Sequence, residues 1–149
     1  MSTSKQTVGR LEWITLNELK LPSIKAKIDT GAKVSALHAY DIEVFKRKGE
    51  EYIKFTTQPF PKGDDKEKKE FTCKAKLAGR RRVKSSNGQT QNRYVIEIEG
   101  TIGDTKQSIT LTLTDRKAMA YRMLLGCTTL KGRYVVDVAE TYLQGKLTK

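Results

Sequence analysis

The fold is decided by residues 24–32, which read Ile-Lys-Ala-Lys-Ile-Asp-Thr-Gly-Ala. Apolar and charged residues alternate up to Ile28, which is the period of a strand with one buried face. The predicted strand ends at Asp29, and Gly31 lets another backbone or a ligand approach that carboxylate closely. The residues indicate either an acid held on a rigid element for chemistry or an aspartate that only caps a turn.

The composition indicates one basic domain. The 149 residues include 29 basic and 17 acidic side chains, a net charge of +12, and the length predicts a single domain, 1–149. No apolar run approaches the ~20 residues of a membrane span, and residues 1–10 lack the apolar region of a secretory signal. Two distant cysteines indicate reduced thiols. We therefore expect a cytoplasmic protein away from membranes, and the charge favours a polyanionic partner.

Short strands are predicted along the whole chain, at residues 11–14, 24–28, 34–38, 44–45, 52–56, 71–77, 96–102, 109–113, 123–126, 133–138 and 141–143. Helix is expected only as short turns, at 15–19, 116–122 and 128–130. Residues 58–70 combine proline and glycine with a dense run of charges, and they predict a mobile surface loop. Many short strands with little helix indicate an all-β sandwich or barrel.

A polar hairpin is predicted at residues 80–96. Its tip is Asn87-Gly88, two residues that tolerate the positive φ of a tight hairpin turn. Few apolar residues lie near this tip, so the hairpin has little to bury. We expect it to project from the body of the protein and to move.

Three elements follow one another in the chain: Asp29-Thr30-Gly31 after a strand, the glycine-tipped hairpin, and Leu124-Leu125-Gly126. This order resembles the retropepsins, the homodimeric aspartic proteases of retroviruses. Residues 25–39, 80–89 and 111–130 are similar in particular to the bacterial retropepsin-like group that includes RimB, often labelled "ATP-dependent zinc protease". The resemblance covers nearly the whole chain, and it implies a closed β-barrel of the acid-protease fold with one lobe per chain.

The resemblance also implies a role for each matching residue. The catalytic loop would be Asp29, Thr30 and Gly31. The flap and substrate-binding residues would be Ala32, Lys33, Arg82, Lys84, Ser85, Ser86, Asn87 and Gly88, and the residues packed behind the catalytic loop would be Leu124, Leu125 and Gly126. Cys127 replaces an arginine that ties the dimer interface of the retroviral enzymes, and Lys33-Val34 replaces the acidic pair that commonly follows their triplet.

Hydrolysis of a peptide by carboxylates needs two of them, because one acts as a base toward water and the other as an acid toward the leaving amine. Two such groups at close range share one proton. The chain contains a single Asp-Thr-Gly, so the second acid is expected from another copy across a two-fold axis. We predict an aspartic endopeptidase that acts as a homodimer, and the resemblance implies that Thr30 hydrogen-bonds across the axis.

Other chemistries lack the residues that they need. His38 is the only histidine, and zinc normally requires several ligands. We therefore expect no metal and assign His38 a structural hydrogen-bonding role. No phosphate loop supports ATP binding, so no cofactor is expected. A cysteine peptidase fits poorly, because Cys127 has only that one histidine available as a base.

Positive charge is predicted around the cleft, from Lys33, Arg80, Arg81, Arg82, Lys84 and Arg93. This favours an acidic peptide as the substrate, and the resemblance to RimB separately implies a glutamate-rich tail of a ribosomal protein and a glutamate-ligase partner. The same cations also fit a solvated surface without a partner. Two other functions stay open. One is a basic β-barrel that binds RNA or the ribosome, although no aromatic RNA-binding platform is visible; the other is a catalytically silent relative that only binds a partner.

Overall fold

The computed structural model describes residues 5–84 and 88–145. The strands are β1 (Gln6–Val8), β2 (Leu11–Leu16), β3 (Ile24–Ile28), β4 (Ser35–His38), β5 (Tyr40–Arg47), β6 (Glu50–Thr57), β7 (Phe71–Lys76), β8 (Gly79–Lys84), β9 (Thr90–Ile102), β10 (Thr105–Thr114), β11 (Met123–Leu125) and β12 (Tyr134–Val136). Helix is limited, in the described residues, to a 3₁₀ turn at Asn17–Leu19 and to α1 (Cys127–Leu130). No helix in this part of the chain is long and apolar enough to cross a membrane. The prediction of an all-β fold with little helix is confirmed.

Six strands form a closed ring in the order β10-β4-β11-β3-β2-β9, and β9 returns to β10. The β9–β10 hairpin is antiparallel, from Ile102 opposite Thr105 to Tyr94 opposite Leu113. β11 lies parallel to β3 and antiparallel to β4, and β4 lies parallel to β10. β8 is added outside the ring, beside β9. The predicted closed β-barrel is therefore confirmed.

The hydrophobic core fills the ring, as the alternation in the sequence predicts. In β3, Ile24, Ala26 and Ile28 are buried while the two lysines between them are more exposed. The facing residues of the β9–β10 hairpin are also buried: Ile96, Ile98, Ile102, Ile109, Leu111 and Leu113. The turn of this hairpin contains Gly103 at a φ of +58°, a left-handed conformation that glycine adopts without strain.

A second, antiparallel sheet consists of β5, β6 and β7. Residues 58–70 join β6 to β7 without forming a strand. The fully buried Arg122 donates through Nε to the carbonyl of Phe60 at 2.9 Å and through Nη2 to Glu67 Oε2 at 3.3 Å. These bonds tie the connection to the ring at two points, and the mobility of residues 58–70 stays a prediction.

The structure differs from the prediction in two elements. β1 was missed because a strand of three residues is too short to show a period. The strand predicted at 141–143 does not form, because the N–H groups of Leu143 and Gln144 donate instead to the buried carboxylate of Glu12 at 2.9 and 3.0 Å. At residues 116–122, where a short helix or helical turn is predicted, the chain forms turns. There the N–H of Arg116 donates to His38 Nδ1, and its Nε donates to the carbonyl of Tyr121.

Candidate active site

Asp29 lies where β3 ends. Its side chain is half-buried, while Thr30 and Gly31 are exposed. The N–H of Asp29 donates to the carbonyl of Leu125 at 2.9 Å, and its own carbonyl accepts the N–H of Ala32 at 3.2 Å. Its Oδ1 accepts the N–H of Gly31 at 3.0 Å. The backbone of the loop therefore holds both the position of Asp29 and the orientation of its carboxylate.

Gly126 packs against the back of this loop. A Cβ at Gly126 would lie 2.6 Å from the carbonyl oxygen of Val34 and 2.8 Å from that of Ala32, so a larger residue would displace the loop. The carbonyls of Ala32 and Lys33 accept the N–H groups of Cys127 and Thr128 at 2.8 and 3.1 Å. Hydrogen bonds thus join Asp29, of the predicted catalytic loop, to Leu125 behind it, and Ala32 and Lys33, of the predicted substrate-binding group, to Cys127 and Thr128. Leu124 lies half-buried in the same strand as Leu125.

Ser35 also holds this site, although it is not among the predicted site residues. It is fully buried, and its Oγ accepts the N–H of Gly126 at 3.0 Å and lies 2.6 Å from Thr129 Oγ1. The carbonyl of Ser35 accepts a hydrogen bond from Thr112 Oγ1 at 3.0 Å. These contacts join β4, α1 and β10 behind the Asp29 loop. A serine between the apolar Val34 and Ala36 of the predicted strand was the available signal.

The predicted flap is the hairpin of β8 and β9. β9 pairs with β10 only from Tyr94 onward, so residues 81–84 and 90–93 pair with each other beyond the ring. Arg82, Lys84 and Gly88 are exposed, whereas Ser85, Ser86 and Asn87 lie outside the described residues. Among the residues that are described, no hydrogen bond or ion pair joins the hairpin cations to the Asp29 loop.

One side of the Asp29 loop faces solvent. Thr30 and Lys33 are exposed, and Ala32 is half-buried. Cys127 is also exposed, and its Sγ donates to the carbonyl of Thr30 at 3.2 Å. A second molecule therefore has access to the loop from this side.

Two partly or fully buried arginines lie near the site. Arg116 is 8% exposed, and its pKa is lowered by burial and by the charge of Arg93, while the charge of Asp29 raises it. Arg93 is half-buried; it donates through Nη1 to Thr112 Oγ1 at 3.3 Å and through Nε to Gln91 Oε1 at 2.8 Å. Burial lowers its pKa as well. Arg116 is not among the predicted site residues, because nothing in its local pattern indicates burial.

His38 is fully buried at the end of β4. Its Nδ1 accepts the N–H of Arg116 at 2.8 Å. Burial, followed by the charge of Arg122, lowers the pKa of His38 from 6.5 to about 4. The imidazole is therefore neutral near pH 7 and acts as an acceptor, which agrees with a structural role. Within residues 5–84 and 88–145, no group of three or more His, Cys, Asp or Glu side chains is placed to hold a metal.

Residues 7–147 match the family model described as RimB-like, retropepsin-like aspartic endopeptidase RimB. The chain belongs to the RimB-like family. The predicted family is thus confirmed, and the closed ring of strands fits the retropepsin-like fold.

Curated relatives of this RimB-like chain are longer proteins. It is 38% identical over 146 residues to a probable alpha-L-glutamate ligase of Shewanella pealeana and 34% identical over 146 residues to one of Desulfotalea psychrophila. Each alignment covers 98% of this chain but 31% of the ligase, so the chain spans about a third of their length. A crystal structure of a Legionella pneumophila protein of unknown function is similar with a TM-score of 0.74 and 30% identity, over 95% of this chain and 99% of that one.

Proposed function

We propose that this RimB-like chain is one half of a homodimeric aspartic endopeptidase. The observation that best supports the proposal is the Asp29 loop, whose half-buried carboxylate is oriented by the N–H of Gly31 and whose backbone is bonded to Leu125. A carboxylate held on a rigid element, with one side of its loop open to solvent, suits acid–base hydrolysis of a peptide.

The second carboxylate would come from Asp29 of another copy. At close range the two groups share one proton, since both cannot ionise together. The ionised carboxylate takes a proton from water as the water oxygen bonds to the peptide carbonyl carbon. The protonated carboxyl group donates its proton to the peptide nitrogen as the C–N bond breaks. The exposed positions of Thr30 and Cys127 beside Asp29 support a partner on this side.

The proposed substrate is an acidic peptide, with a glutamate-rich tail as the leading candidate. Lys33, Arg82 and Lys84 are exposed cations on the catalytic loop and the flap, and a field of this sign attracts carboxylates. The relatives named alpha-L-glutamate ligases contain a region similar to this chain, which supports a functional link to ligated glutamate. A glutamate ligase and a ribosomal protein with such a tail are the partners that we propose.

The test is cleavage of a glutamate-rich peptide by the wild type and by Asp29→Asn. The variant should keep the fold and lose cleavage, because an amide neither accepts nor donates the required proton. Asp104→Asn, at the exposed β9–β10 turn, is the matched control and should cleave normally. Cleavage retained by pure Asp29→Asn would refute the proposal. Peptide binding by a wild type that never cleaves would favour a silent, partner-binding relative.

A further inference from the structure

We propose that Arg93 and Arg116 form a binding site for one side-chain carboxylate of the peptide substrate, beside Asp29. The inference rests on the proposed function, because it takes the peptide in the cleft as the ligand. It assigns a role to two cations that differ from the exposed arginines of the flap in being partly or fully removed from water.

The burial of Arg116 is the first observation. A buried guanidinium is costly unless an anion neutralises it. Arg122 is buried more deeply, at 1% exposed, and has an ion pair with Glu67 at 3.3 Å. In contrast, neither Arg116 nor Arg93 lies within ion-pair distance of a carboxylate in the described part of the chain. A substrate carboxylate would give Arg93 and Arg116 the kind of anionic partner that Glu67 gives Arg122.

The unused donors are the second observation. Among the described residues, Arg116 donates from its side chain only through Nε, to the carbonyl of Tyr121 at 3.2 Å. Arg93 donates through Nε and Nη1, to Gln91 and Thr112. The terminal nitrogens of Arg116 and the Nη2 of Arg93 are thus available to a ligand. A guanidinium group binds a carboxylate through two parallel hydrogen bonds, a geometry that lysine lacks.

The placement of the two groups is the third observation. Arg93 lines a cavity of about 300 Å³ between the start of β5, the start of β9 and the end of β10, and Gln91 and Thr114 line it too. Arg116 follows β10 by two residues and interacts electrostatically with both Arg93 and Asp29. Asp115, the residue before Arg116, lines the same cavity, as does Asp41; both repel a carboxylate that lies near them.

The test compares the binding of peptides that differ by the replacement of one glutamate carboxylate by the amide of glutamine. The probes are a fluorescein-labelled glutamate-rich peptide and a set in which one glutamate at a time is replaced by glutamine. For the wild type, one of these replacements should weaken binding roughly tenfold more than the others, as expected for one charge-assisted hydrogen-bonded contact. Arg93→Gln should remove this difference. Arg47→Gln, an equal change of charge on the exposed end of β5, should preserve it.

Arg116→Lys keeps the positive charge but cannot form two parallel hydrogen bonds to one carboxylate. It also avoids placing a neutral side chain at this buried position. It should reduce the glutamate preference only in part, through KM rather than kcat.

Peptide binding is measured on both the wild type and Asp29→Asn, so that the result does not depend on turnover. A preference that disappears in Arg93→Gln supports the subsite even if the wild type cleaves nothing, in which case only the proposed activity fails. The same preference in the wild type, Arg93→Gln and Arg116→Lys would overturn the subsite while leaving any measured peptidase activity intact.

Discussion

The backbone N–H of Asp29 donates a 2.9 Å hydrogen bond to the carbonyl oxygen of Leu125. This bond joins the end of β3 to the end of β11, two strands that lie side by side although they are far apart in the chain. The residue after Leu125 is Gly126, which packs against the carbonyls of Ala32 and Val34. The position of Asp29 therefore depends on the absence of a side chain at Gly126.

Gly126→Ala should move the Asp29 loop and abolish most of the proposed activity. The added methyl group would lie 2.6 Å from the backbone oxygen of Val34, and backbone cannot rotate away as a side chain can. Overpacking of this kind costs about 1–3 kcal/mol of unfolding free energy, measurable by urea denaturation. Gly100→Ala is the control, since its methyl would meet the flexible Cδ1 of Ile109 at 2.5 Å. It should lose stability but keep its activity per folded molecule. Wild-type stability and activity in Gly126→Ala would contradict the prediction.

The specific activity should fall on dilution as the proposed homodimer dissociates. Sedimentation across the same concentrations should show the dimer population falling in parallel. Thr30→Val replaces an exposed hydroxyl beside Asp29 with a methyl group of similar size, and it should shift both curves to higher concentration if Thr30 bonds across the axis. Thr72→Val, at an exposed position of β7, should leave both curves unchanged. A monomer that is fully active would rule the dimer out.

The stability of the protein should fall between pH 6.5 and pH 4 partly because of His38. The folded-state pKa of His38 is about 4, below its usual 6.5, so in this window the unfolded chain binds a proton that the folded chain does not. The difference contributes roughly 3 kcal/mol of unfolding free energy at pH 7 that is lost as the pH falls to 4. His38→Asn keeps an acceptor for the N–H of Arg116 and cannot take up this proton. Urea denaturation at pH 7 and pH 4 should show a smaller loss for His38→Asn, and equal losses would contradict the assignment.

Acidic peptides should be cleaved faster than matched neutral or basic peptides, and the preference should shrink as salt is added, because salt screens exposed charges. Lys33→Glu, which reverses an exposed charge on the Asp29 loop, should weaken the preference further. Arg47→Glu makes the same type of reversal on β5 and should change it little. Equal rates on all three peptides at low salt would remove the acidic substrate from the proposal.

The periodic parts of the fold could be predicted from the sequence. The alternation in β3 placed Asp29 at a strand end, and the apolar faces of β9 and β10 predicted their pairing, because both depend on neighbours close in the chain. The parallel contact of β4 with β10 could not be predicted in this way, since no local pattern specifies a partner so distant. The one-domain organisation of residues 1–149 and the flap role of residues 80–96 stay predictions.

The residues that hold the Asp29 loop in place were harder to predict than Asp29 itself. Ser35 and Gly126 meet through a 3.0 Å hydrogen bond between segments that no spacing relates. Arg116 and Arg122 are buried, although arginine is rarely buried and the segment between them has no period. Their contacts with His38, Phe60 and Glu67 join residues that are distant in the chain, and these contacts form only once the strands have assembled.

The pairing of β1 with β12 has a consequence for folding kinetics. Gln6 lies opposite Tyr134 in that pair, so its formation closes almost the whole chain into a loop, at an entropic cost of about 4 kcal/mol if the intervening chain were still flexible. The cost becomes small once the ring has formed and brought the two ends together. β1 is therefore expected to join after the rate-limiting step, and its contacts, such as those of the fully buried Val8, would slow unfolding without speeding folding. The pair of terminal strands would govern how long the native state lasts rather than how quickly it is reached.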